Sequence, residues 1–233
     1  MAPCGLLIAA LLSACQSEKP SSPASLTTAS PSERPGSGPP PAAPELAQND
    51  EPPPAGIPRL ALAHRDNFIR IWRFYFGMAQ TPVIGFAQVH QESRWRPTAK
   101  SAYASGLAQF TPATAADFAK LLPAEVQARC PSKAGCPIDP NWALNALSLY
   151  DYRLHKSFSW AATDDDRWRL ALAAYNGGAG WIIKERARAG SSTRWADIVA
   201  ACMRSEASCR ENREYPVQIL ERWRPLYQRW LGL

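Results

Sequence analysis

Glu92 is the side chain around which this sequence could do chemistry. It closes an apolar run at helical spacing, Val83, Ile84 and Ala87 with Phe86 and Val89 beside them, which predicts a helix over residues 82–93 stopped by Pro97. A polar loop containing Ser101 and Gly106 follows, and then a short apolar ridge, Leu107, Ala108 and Phe110, with Gln109 set into it. A carboxyl at the end of a buried-faced helix, opposite an amide on an apolar ridge, is placed to hold a proton near neutral pH. Desolvation disfavours the carboxylate and raises its pKa. The expected chemistry is general acid and base catalysis by Glu92.

Two further features support that role. Tyr175 and Asn176 end an apolar helical segment just before the glycines at 177, 178 and 180, and Tyr215 precedes Pro216 and another apolar run. His90 stands two residues before Glu92. That His-x-Glu spacing also occurs in zinc deaminases, but their Pro-Cys-x-x-Cys partner is absent, so no metal and no cofactor is expected. Trp95, one step past the acid helix, suits either a sugar-stacking platform or the core. Trp72, Trp142, Trp168 and Trp223 fall on helical patterns and read as core.

These residues need a scaffold, and the composition locates it. Between Pro20 and Pro58 there are 12 prolines in 39 residues, a composition that cannot bury enough apolar surface to fold. All nine tryptophans, seven tyrosines and seven phenylalanines lie beyond it, so residues 59–233 form one aromatic-rich domain. That domain carries 24 basic and 15 acidic side chains, a net of +9. Such a surface suits an anionic polymer: nucleic acid, a lipid surface, or a cell-wall glycan with acidic peptides. It equally serves solubility, and charge alone does not choose.

Within the domain, helices are expected over 59–77, 82–93, 112–122, from Pro140 to about Phe158, from Asp164 to the glycine break, and over 181–189, 195–203 and 214–231. Asp139-Pro140 and the acidic run Asp164 to Asp166 supply start signals, and Thr111-Pro112 another. No persuasive strand appears beyond a short β-like patch near 103–110. The fold class is mostly α.

The N-terminus and the cysteines lead to the expectation of an exported chain. Residues 5–12, GLLIAALL, are too short to span a bilayer and fit a secretory signal over residues 1–14. Leu12-Ser13-Ala14-Cys15 resembles the bacterial lipobox, which implies acylation of Cys15, although no Lys or Arg precedes the apolar run. Gln16, rather than Asp, after the proposed cleavage site resembles the outer-membrane sorting pattern. The expected location is the periplasmic face of the outer membrane, the alternative being a soluble periplasmic or secreted protein. Residues 15–58 would then be a leash reaching on the order of 100 Å. Of the remaining cysteines, Cys130 with Cys136 and Cys202 with Cys209 are close pairs that read as two local disulfides in an exported chain. Neither pair has the two-residue spacing of a zinc knuckle.

Taken together, ESRWRPTAKSAYASGLAQFTPATA (92–115), AAYNGG (173–178) and REYPVQIL (213–220) resemble the ordered motifs of the soluble type of lytic transglycosylase, a family with a goose-type-lysozyme-like helical fold. Each motif alone is weak, and three in order are strong. The resemblance implies a chain that cleaves the β-1,4 bond between N-acetylmuramic acid and N-acetylglucosamine and closes a 1,6-anhydro ring. It implies Glu92 as the catalytic residue, Tyr175 and Tyr215 bonding near its carboxyl, and Ser101, Gln109, Phe110 and Asn176 as further substrate contacts. Peptidoglycan strands are the expected partner, with a lipid-anchored attachment to the membrane, no nucleic acid, and other cell-envelope proteins left open. Two positions depart from the family pattern: Ala108 stands where Met is usual, implying a roomier subsite, and Pro216 follows Tyr215.

The matched motifs contain no clear second carboxylate. Ordinary glycosidases need two, whereas a nucleophile supplied by the substrate itself removes that need and gains the effective concentration of a tethered group. The rival expectations are a muramidase of the same fold that hydrolyses with water, and a wall-binding scaffold without activity.

Overall fold

A computed structural model describes residues 54–233. The signal segment, Cys15 and nearly all of the proline-rich stretch therefore lie outside the described residues.

Helix α1 (Arg59–Phe76) buries Ala61, Phe68, Ile71, Trp72 and Phe76 along one face. It ends at Gly77, whose φ of 62° places it in a conformation that glycine alone adopts without cost. Helix α2 (Val83–Ser93) is buried on nearly every side, as an interior helix must be if it is apolar all round. At Gly85 a β-carbon would come within 2.4 Å of Trp72 and 2.8 Å of Phe68, so glycine is what lets α1 lie against α2.

The acid helix ends at Ser93, as expected, but what stops it is not Pro97: Arg94 and Trp95 both take left-handed backbone, with φ of 51° and 61°. That reversal turns the Trp95 indole inward, where it is fully buried against Phe68 and Phe86 and donates to the Tyr227 hydroxyl at 2.7 Å. Trp95 is thus core and not a sugar platform.

The loop that follows has isolated antiparallel bridges, Lys100 with Ser105 and Ser105 with Phe110, which is the extent of the β-like patch. Helix α3 (Pro112–Ala119) starts on Thr111, whose side chain accepts from the Thr114 amide. Helix α4 (Ala124–Arg129) was not expected. It is six residues long and buries only Val126, so it leaves no periodic trace. The bridge between Cys130 and Cys136, with Cα atoms 6.1 Å apart, closes the loop before helix α5 (Pro140–Ser157), which is capped by Asp139 onto the Trp142 amide.

Helix α6 (Asp164–Gly177) is capped by Thr163 rather than by the acidic run, which fills its first turn. It packs against α5, against α7 (Ala179–Arg188) and against α9 (Glu206–Val217), and so forms the centre of the second half of the domain. Short helix α8 (Trp195–Ala200) leads to the bridge between Cys202 and Cys209, whose Cα atoms are 6.0 Å apart. Helix α9 begins eight residues before the predicted start. Pro216 lies inside it, and because proline has no N–H for the helical ladder the helix widens into a π-helical segment, Gln218–Trp223. Helix α10 (Arg224–Leu231) completes the fold, and both it and the π-helical segment lie against α2.

Candidate active site

Glu92 sits in the last turn of α2, partly buried, with its carboxyl facing the C-terminal half of α9. The Tyr215 hydroxyl donates to Oε1 of Glu92. Burial pushes the Glu92 pKa up to about 7, and the Tyr215 bond, which favours the carboxylate, only partly offsets that rise. A carboxyl tuned in this way is protonated in a useful fraction at neutral pH and can also act as a base.

A cleft of about 270 Å³ opens on this carboxyl, lined by Gln91, Glu92, Asn176, Glu211, Glu214, Tyr215 and Gln218. Glu211, Glu214, Tyr215 and Gln218 recur at helical spacing and present one face of α9 and its π continuation. Asn176 enters from the end of α6. Its Oδ1 accepts from Asn212 Nδ2 at 3.1 Å, and the same Asn212 amide donates to the Ala173 carbonyl at 2.7 Å.

Behind Asn212 runs a buried polar chain. Arg204 donates from Nη2 to Asn212 Oδ1 at 2.7 Å and from Nε to Glu185 Oε1 at 3.1 Å, with the Glu185 side chain 2% exposed. This chain ties α7 and the α8–α9 connection to the last turn of α6, and so fixes where Asn176 and Tyr215 stand relative to each other.

On the far side of α2, the Tyr227 hydroxyl accepts from Trp95 at 2.7 Å and hydrogen-bonds with His90 Nδ1 at 3.0 Å. Burial, with Arg94 and Arg222 nearby, pushes the His90 pKa down to about 4. The imidazole stacks on Trp223, whose indole donates to Gln91 at 2.8 Å. Among the described residues no cluster of His, Cys, Asp and Glu could hold a metal ion.

The Transglycosylase SLT domain family matches residues 81–198, just over half of the chain. The chain belongs to that family.

A crystal structure of the 70 kDa soluble lytic transglycosylase from Escherichia coli is similar at 25% identity and a TM-score of 0.54, over 75% of this chain and 25% of that one. A complex of the 70 kDa soluble lytic transglycosylase with bulgecin A is similar at 25% identity and a TM-score of 0.51, with the same coverage. An inactive mutant of lytic transglycosylase Slt from Pseudomonas aeruginosa is similar at 22% identity and a TM-score of 0.54, also with that coverage, which speaks to fold alone. The chain thus spans about a quarter of the length of these solved structures. No curated protein matched the sequence.

Of the residues the sequence singled out, the fold brings Glu92, Asn176 and Tyr215 onto one cleft. The others are not in that cleft's lining. Tyr175 lies close to Glu92, whose charge adds to burial in raising the Tyr175 pKa, and its hydroxyl donates to the Ala108 carbonyl at 2.7 Å, fastening the loop ridge to α6. Gln109 donates both amide hydrogens to the loop's own backbone, to Ala99 at 3.2 Å and Gly106 at 3.0 Å, from a left-handed φ of 46°. Ser101 is exposed and folds its loop by accepting from the Ala104 amide at 3.0 Å. Phe110 is 3% exposed and packs on Phe118, Trp142 and Tyr175, so it belongs to the core rather than to the cleft wall. Ala108 is fully buried, and what it offers its surroundings is a carbonyl for Tyr175.

Gln91, Glu211, Glu214 and Gln218 were missed. The signal for three of them is their spacing about Tyr215, legible once the helix is begun at the Ser205 cap, whose side chain accepts from the Ser208 amide.

Proposed function

We propose that this chain is a peptidoglycan lytic transglycosylase that cleaves the N-acetylmuramic acid–N-acetylglucosamine β-1,4 bond and forms 1,6-anhydro-N-acetylmuramic acid. The observation that carries this reading is Glu92 at the cleft floor, held near a pKa of about 7 by burial and bonded to Tyr215. Membership of the SLT domain family supports it, as do the soluble lytic transglycosylases among the solved structures, one of them bound to bulgecin A.

In this mechanism the Tyr215 bond occupies Oε1, which leaves the acid proton to Oε2 of Glu92. That proton passes to the glycosidic oxygen as the C1–O bond breaks. The C6 hydroxyl of the same muramic acid then attacks C1 and gives its proton to the Glu92 carboxylate, restoring the acid without consuming water. A tethered nucleophile removes most of the entropic cost of bringing two reactants together. Asn176 is positioned by Asn212 to meet a polar group of the glycan.

A second reading has one specific observation in its favour. Glu211 and Glu214 are exposed on the cleft wall, and either could activate water for hydrolysis, as in a muramidase. The anhydro reading is preferred because neither carboxylate is buried or fixed by a bond of its own among the described residues.

The N-terminus extends the proposal: acylation at Cys15 would tether the domain to the outer membrane on the periplasmic side, with residues 16–58 spanning toward the wall. Purified peptidoglycan sacculi test the activity. The folded chain is expected to release soluble fragments and Glu92→Gln to release none, while a folded Glu92→Gln variant with near-normal release would overturn the assignment.

A further inference from the structure

Behind Glu92, on the side away from the cleft, lies a second carboxyl that the mechanism does not use. Asp151 on α5 has no exposed surface. Gln88, one turn before Glu92 on the same face of α2, is equally buried and donates from Nε2 to Asp151 Oδ1 at 3.3 Å. The remaining atom of each group, Oδ2 of Asp151 and Oε1 of Gln88, has no partner. Both are acceptors, and two orphaned acceptors on one hydrogen-bonded pair lack a donor. A single proton on Asp151 supplies it: the acid O–H then donates to Gln88 Oε1 while the Gln88 amide donates to Oδ1, closing a cyclic acid–amide pair.

The surroundings argue the same way. The titratable groups facing Asp151 are Glu92 on α2, Tyr175 on α6, Tyr215 on α9 and its neighbour Tyr150. None is a cation, and no ion pair among the described residues includes Asp151. An ionised carboxylate buried without a counter-charge is among the costliest groups a protein can hold.

We propose that Asp151 is a positioning residue that stays protonated against Gln88, so that Glu92 can become a carboxylate in mid-cycle with no like charge behind it. The inference rests on Glu92 being the acid, but the protonation of Asp151 can be read without turnover. Burial also raises the Asp151 pKa well above the ordinary carboxylate range, and the Glu92 charge adds to the rise against the opposing Gln88 bond.

The test follows the carboxyl ¹³C shift of Asp151 by NMR from pH 5 to 8 in the full chain labelled at aspartate, with Asp151→Asn to assign the signal. The upper pH limit of sacculus digestion is measured in parallel for both proteins. The expected result is a protonated Asp151 up to pH 8, with Asp151→Asn, a neutral isostere, keeping the upper limit within about 0.3 pH unit of wild type. A shift showing Asp151 ionised at pH 7 would overturn the proposal. So would a fall of the upper limit by one pH unit or more in Asp151→Asn, since that means a charged Asp151 had been holding the Glu92 proton in place. If Asp151→Asn does not fold, the wild-type titration decides, with the signal assigned through its response to Gln88→Leu. Should Glu92→Gln remain active, the reading of Glu92 fails while the NMR result on Asp151 still stands or falls by itself.

Discussion

Tyr215 reaches Glu92 from 123 residues further along the chain, and its hydroxyl is the donor to the carboxyl at the cleft floor. Two opposing effects meet in that contact. Burial favours the neutral acid and the tyrosine bond favours the anion, with burial the larger. Helix α9 thus orients the Glu92 carboxyl and tempers the proton affinity that burial raises.

Replacing Tyr215 with Phe removes the effect that lowers the Glu92 pKa and leaves burial unopposed. The upper pH limit of activity is expected to move above its wild-type position near pH 7. The turnover number should fall about tenfold, because the carboxyl loses its orientation. A pH–rate profile of Tyr215→Phe beside wild type checks both. An unchanged limit would mean that the bond has no hold on the proton.

The raised pKa of Glu92 also bears on stability. The folded state holds this proton up to about pH 7, whereas an unfolded chain releases it near the ordinary value of 4.5. Stability from this group is therefore fully present below pH 4.5, declines as pH rises toward 7, and stays lost above it. Glu92→Gln carries no such penalty. It should be more stable than wild type at pH 8 by on the order of 1 to 3 kcal/mol, with the difference closing below pH 4.5. Denaturant melts at the two pH values read this directly.

The buried pair Glu185–Arg204 makes a separate prediction. Truncating Glu185 to Ala strands a guanidinium that is 10% exposed and slackens its hold on Asn212. Breaking such a pair from one side costs about 3 kcal/mol. Urea unfolding should show that loss, and the surviving folded fraction should bind glycan more weakly as Asn176 loses its support.

Gly106 is the most constrained point of the loop after the acid helix. It has a φ of 84°, and a β-carbon there would fall 1.6 Å from the Pro137 carbonyl oxygen. Gly106→Ala must move backbone against backbone, so a cost above about 2 kcal/mol is expected, beyond the strain of φ alone. A thermal melt of the variant measures it.

Much of the helical frame was legible because its signals are local. The α1 stripe, the Thr111-Pro112 start and the Asp139 cap each follow from spacing or a capping side chain. Glu92 and Tyr215 were visible as residues, but their contact joins α2 to α9 and has no local trace. The places where reading fell short share a cause. Helix α4 buries one side chain, and the first turns of α9 hold their place through Asn212 and a disulfide rather than an apolar stripe, so periodicity passes over both. The end of α2 at Ser93 was legible, but its cause was read as Pro97, whereas the left-handed turn at Arg94 and Trp95 that stops the helix depends on Trp95 finding Tyr227, 132 residues away. Phe110 and Gln109 look like site residues in the motif, yet Phe110 packs in the core and the Gln109 amide is bonded to its own loop. A motif records which residues occur together, not which of their atoms are already engaged.

The central claim is that Glu92 works with a nucleophile supplied by the substrate. Mass spectrometry of the muropeptides released from purified sacculi tests it most directly, since the two chemistries differ by one water. The account predicts muropeptides ending in 1,6-anhydro-N-acetylmuramic acid, 18 Da lighter than hydrolysed ones, and no such product from Glu92→Gln. Release of reducing-end muropeptides alone would contradict it and assign water activation to the carboxylates on the cleft wall.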